Sequence, residues 1–86
     1  MTEDNHQIMQ AELKKYISDL IFRSFSTDEK LVSDRIIDSI NIVELVIFIE
    51  SQFYVKISTL DMNADHFDNV ESMIKLIQTK SSAKGV

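Results

Sequence analysis

The chain has 86 residues with no cysteine, no proline and one glycine, and its nine basic and fourteen acidic side chains leave a net charge of -5. That length supports one domain burying only about 60% of the surface its unfolded chain exposes, and the lack of cysteine excludes a disulfide framework or a Cys-based metal centre. The acidic balance argues against nucleic acid or an anionic membrane surface as a partner and favours a basic protein surface.

Without proline, and with its glycine at Gly85, the chain carries no strong helix breaker before its end, and its apolar residues mostly recur at three and four. The expected fold is all-α. Met1 to Asn5 is polar and acidic and no apolar run approaches the roughly 20 residues of a membrane span, so a cytoplasmic protein with no membrane insertion is expected. Asp4 with Gln7 has capping-box spacing, and Met9, Leu13, Tyr16, Ile17, Leu20 and Ile21 form the stripe of a first amphipathic helix.

From Arg23 to Asp38 the period is lost among Ser24, Ser26, Thr27, Asp28, Ser33 and Asp34, which favour turns. Connections longer than about 12 residues tend to be functional, and Phe25, Leu31, Ile36 and Ile37 are placed to pin this one to a core.

A second helix is expected from Ser39 to Phe53, with Ile42, Leu45, Val46, Ile49 and Phe53 on its core face. Its many β-branched residues would also suit a strand, but no other run alternates well enough to pair with it. After Tyr54, Ser58 or Thr59 can cap a short turn through Leu60 and Met62, and Ala64 to Phe67 can add another. Asp68 with Glu71 again has capping-box spacing, and Val70, Met73, Ile74 and Ile77 give a last helix its inner stripe. The domain is expected over 1–80, with 81–86 a flexible tail.

The second helix is richer in apolar residues than a small core requires. Eight of the ten residues from Ile40 to Ile49 are apolar, whereas a helix lying on a core needs a stripe only about 100° wide. Subtracting the core face leaves Ile40, Val43 and Ile47 on a neighbouring face beside Glu44 and Glu50. Either the later helices cover these side chains or they form an exposed apolar strip with an acidic edge, suited to docking a basic partner. Charge points the same way. Seven acids stand between Asp38 and Glu71 against one base, Lys56.

Asp38 is a natural N-cap residue, which puts the Ser39 hydroxyl at the first helical position, near unpaired backbone N–H groups where an attached phosphate is electrostatically favoured. Ser39 lacks the partners of a catalytic nucleophile. His6 and His66, the two histidines, are remote from it in sequence and carry no triad-like pattern. Nor do two histidines and scattered acids give a metal-ligand spacing, so neither an enzyme nor a metal site is expected.

From about Leu13 to Ile77 the chain resembles the acyl carrier proteins. Asp38-Ser39-Ile40 stands where the family has Asp-Ser-Leu, and Glu44-Leu45, then Glu50 with Phe53, fall where it has a Glu-Leu pair and an acidic, aromatic helix end. Arg35 and Ile36 stand where a glycine often precedes the motif, and Ser51 and Gln52 where further glutamates are common. The resemblance implies a four-helix bundle with a long loop between helices 1 and 2 and a short third helix. It implies that Ser39 carries 4'-phosphopantetheine, with Asp38 as motif residue and cap, and that a transferase and then an acyl- or aminoacyl-activating ligase and acyl-processing enzymes are the partners of a monomeric carrier. Ile40, Val43, Glu44, Ile47 and Glu50 become the docking residues, with Met62 near the arm. The cargo stays open: an acyl group of a fatty acid, lipid or secondary-metabolite pathway, or an amino acid as in aminoacyl, D-alanyl or peptidyl carriers. The alternative of another class is an unmodified helical interaction module using the same strip.

Overall fold

The computed structural model describes the backbone of residues 2–85 and the side chains of residues 6–81. Four α-helices and one 3-10 turn account for its regular structure, and no strand occurs among the described residues. Helix α1 spans Thr2–Ile21, α2 Ser39–Phe53, α3 Ala64–Phe67 and α4 Val70–Gly85, with the 3-10 turn at Thr59–Asp61. None of these helices is long and apolar enough to cross a membrane.

The all-helical expectation is met. Helix α1 packs against α2 and α4, and α3 packs against α4. The stripe of α1 buries Leu13 and Ile17 completely and sets Met9, Tyr16 and Ile21 against the core edge. Helix α1 already runs at Thr2, ahead of the start read from Asp4, whose side chain lies outside the described residues. The inner stripe of α4 is buried as its spacing requires, at Val70, Met73, Ile74 and Ile77, with Leu76 added. Helix α4 also continues through 81–85, where a tail was expected, because no breaker precedes Gly85.

Helix α2 has the limits its sequence predicts. Ile42, Leu45, Val46 and Ile49 are buried, so the helical spacing prevails over the strand preference of β-branched side chains. Phe53 remains half-buried at the rim, edge-on to Phe48 with ring centroids 6.4 Å apart. The helix closes at Tyr54, whose left-handed φ of 56° turns the chain while its N–H bonds the Glu50 carbonyl.

The loop from Phe22 to Asp38 is pinned as its apolar residues suggest. Phe25, Leu31 and Ile37 are buried and Ile36 packs against the core. Every buried side chain in the described core is apolar. The described core is therefore held by apolar packing, with no cysteine in the chain to supply a disulfide.

Candidate functional site at the start of helix 2

The approach to α2 is a turn folded around the Leu31 carbonyl, which accepts the N–H groups of Ile36 at 2.8 Å and Ile37 at 3.0 Å. Arg35 turns the chain in the left-handed region at φ 59°. This is one of the positions where the sequence lacks a glycine: arginine takes the same conformation, at a steric cost of about 1–2 kcal/mol that glycine would not incur.

Asp68, between α3 and α4, fastens this turn. Its carboxylate accepts the Val32 N–H at 3.0 Å, the Ser33 N–H at 2.8 Å and the Ser33 hydroxyl at 2.6 Å. Its backbone carbonyl takes the Leu31 N–H at 2.6 Å. The Ser33 hydroxyl, followed by the Ser33 N–H, holds the Asp68 carboxyl below the usual aspartate range, with Val32 N–H and the Lys30 charge adding to the effect against a desolvation penalty. The capping role expected of Asp68 belongs instead to Asn69, whose side-chain oxygen accepts the Ser72 N–H at 2.8 Å. Glu71, the expected box partner, meets His6 of α1 at 2.9 Å. Spacing alone could not separate Asp68 from Asn69, since either residue type caps a helix.

At the helix start, Asp38 is the N-cap and Asn41 its reciprocal partner. The Asp38 carboxylate accepts the Asn41 N–H at 2.9 Å, and the Asn41 side-chain oxygen accepts the Asp38 N–H at 3.1 Å. Sequence reading missed this second bond, because the return position of a capping box is usually Glu or Gln. Its consequence concerns Ser39. Asp38 and Asn41 complete the cap by themselves, so the hydroxyl of Ser39 is left out of it, on an exposed residue at the first helical position. The N–H groups of Ser39 and Ile40 belong to the first turn, where no intrahelical acceptor exists.

The strip beside Ser39 is exposed. Ile40, Val43 and Ile47 keep 69%, 48% and 59% of their surface in water, so α3 and α4 do not cover them. Leaving such side chains out of the core forgoes roughly 1.5–3 kcal/mol for each one fully buried. Glu44 stands exposed at the edge of the strip, while its backbone carbonyl accepts the Tyr16 hydroxyl at 3.3 Å. Tyr16 in turn stacks on Phe48 with centroids 4.1 Å apart, fixing α1 against this side of α2.

Two of the other candidates have structural partners. The Glu50 carboxylate accepts the Ile57 N–H at 2.9 Å, which ties the chain after α2 back onto the helix and leaves Glu50 only partly exposed. Met62 packs against the core from the end of the 3-10 turn. That turn is held by Asp61, which accepts the Ser58 N–H and hydroxyl at 3.2 and 3.1 Å and pairs with Lys80 at 2.8 Å. The Lys80 contact, more than the Ser58 bonds, keeps the Asp61 carboxyl below its ordinary value.

Two surface grooves are formed away from Ser39. One of about 280 Å³ runs between α1 and α2 beside Tyr16 and Phe48, and one of about 410 Å³ lies beside His66, Lys75 and Lys80. Ser39 lines neither. Among the described residues, no group of three or more His, Asp or Glu side chains is gathered to hold a metal ion. No protein-family model matches the chain, and no curated protein matches it in sequence.

Proposed function

We propose that the protein is a carrier whose Ser39 oxygen bears 4'-phosphopantetheine and which presents a thioester-bound acyl group to partner enzymes. The observation that carries the reading is an exposed serine at the first position of a capped helix, adjoining an uncovered apolar strip. The sequence resemblance to acyl carrier proteins adds the chemistry.

The residues present fit the group. An exposed hydroxyl outside the cap can be approached by a modifying enzyme, and first-turn N–H groups with the positive end of α2 favour a phosphate at that oxygen. In the modification, an oxygen–phosphorus bond forms at Ser39 as the pyrophosphate of coenzyme A breaks. Adenosine 3',5'-bisphosphate leaves, and the hydroxyl proton passes to the transferase or solvent. When bound, the group supplies a terminal thiol for thioester chemistry, which this cysteine-free chain has no side chain to provide.

The chain's own contribution is presentation. Asp38 fixes where the helix starts, Ile40, Val43 and Ile47 offer desolvation energy to a partner, and Glu44 steers a basic surface toward them. Glu50 contributes chiefly through its bond to Ile57. The partners are a phosphopantetheinyl transferase, an acyl- or aminoacyl-activating ligase and enzymes that take the cargo onward.

Intact mass after incubation with coenzyme A, magnesium and a broad-specificity transferase tests the reading. One phosphopantetheine addition, absent from Ser39→Ala, is the expected result. A folded chain left unmodified by more than one such transferase sinks the carrier reading in favour of an unmodified interaction module. Loading with amino acids alone would identify the carrier as aminoacyl in type.

A further inference from the structure

Asp68 precedes the residue that caps α4 and contributes its own side chain elsewhere. Its carboxylate accepts three bonds and its backbone carbonyl one, all donated by residues 31–33, more than thirty residues earlier. Leu31, held by that carbonyl, is the residue whose own carbonyl gathers the N–H groups of Ile36 and Ile37. Ile37 is buried, and the next residue is the α2 cap, Asp38. The backbone carbonyl of Asp68 is thus joined through Leu31 to Ile37, the residue before the cap, while its carboxylate holds Val32 and Ser33, the two residues after Leu31.

The path matters because the turn, besides its own bonds from Asp34 to Lys30 and Arg35 to Val32, carries backbone strain. It contains a left-handed arginine and has no helix or strand ladder to hold it. A carboxylate taking three donors offsets that strain in a way that no neutral residue can match, since bonds to an ionised acceptor are roughly twice as strong as neutral ones.

We propose that Asp68 is a positioning residue for Ser39: it clasps the 31–37 turn so that the Asp38-Ser39 helix start is preformed for the modifying enzyme. The inference rests on the carrier reading above. Loosening the clasp spreads the turn over several conformations and lowers the fraction of chains ready to dock, which raises the apparent KM while leaving turnover of the docked complex intact.

The test is steady-state modification by the transferase with coenzyme A and magnesium, varying the concentration of wild type, Asp68→Ala, Asp68→Asn and Ile77→Val. Asp68→Ala should raise KM about tenfold with kcat within about twofold. Asp68→Asn retains an oxygen for the backbone N–H groups and should fall between. Ile77→Val, which loosens the core further along α4 and touches none of the Asp68 bonds, should leave KM unchanged. Amide exchange at Ser33, Ile36 and Ile37 should quicken in both Asp68 variants relative to amides of α4. If Asp68→Ala does not fold, Asp68→Asn decides by the same two readings. A normal KM in a folded Asp68 variant with a modified wild type overturns the clasp and leaves the carrier intact, whereas an unmodified wild type overturns both.

Discussion

Asp38 and Asn41 cap each other, with the Asn41 N–H 2.9 Å from one Asp38 carboxylate oxygen and the Asp38 N–H 3.1 Å from the Asn41 side-chain oxygen. Asp38→Ala should therefore cost about 1 kcal/mol of stability and Asn41→Ala about half as much, read as a shift in urea midpoint. If neither variant moves the midpoint, the pair does not hold the start of α2.

Arg35 is held at φ 59° without the freedom of glycine. Arg35→Gly removes the clash, though it also enlarges the unfolded ensemble, so the net expected gain is about 0.5–1 kcal/mol. Thermal unfolding should register it as a higher Tm. A loss would mean that the arginine side chain contributes something the backbone geometry conceals.

The Asp68 carboxyl is held below its ordinary range by the Ser33 hydroxyl and N–H, then Val32 and Lys30. Its folded-state pKa lies below the unfolded value, so the unfolded chain binds the proton more tightly. The stabilisation is complete above about pH 4 and fades as pH falls through the folded pKa. Urea midpoints measured from pH 6 downward should decline less steeply below pH 4 in Asp68→Asn than in wild type. Parallel curves would show that the bonds to Ser33 and Val32 add nothing through ionisation.

Neighbouring isoleucines of α2 should behave oppositely. Ile49 is fully buried and Ile47 is 59% exposed. Ile49→Ala should cost about 2–5 kcal/mol, and Ile47→Ala should stay within about 0.5 kcal/mol. Ile47→Glu should nevertheless slow Ser39 modification by the transferase while the far-UV spectrum is unchanged. A transferase indifferent to that charge would remove Ile47 from the docking surface.

Much of the fold was legible because helices follow local periodicity. The limits of α2, the buried stripe of α4 and the pinned loop residues Phe25, Leu31 and Ile37 all follow from apolar spacing and the lack of breakers. Errors arose where one residue type has two uses. Asp68 and Asn69 are both of a type that caps helices, and only the approach of the 31–33 turn recruits the first away from α4. Glu50 suits a docking rim by position, but the chain after Tyr54 folds back to bring the Ile57 N–H within 2.9 Å of it.

The sequence by itself determined that this is a helical domain without disulfides or a Cys-based metal centre, with a serine at the start of an unusually apolar helix. Periodicity, composition and capping chemistry act over a few residues, so one chain read in order contains them. Whether the surplus on that helix would be hidden, which acid would close which turn, and whether Ser39 would be absorbed by its own cap were tertiary decisions. Each depends on which surfaces meet across dozens of residues, and that is set by packing of the whole core.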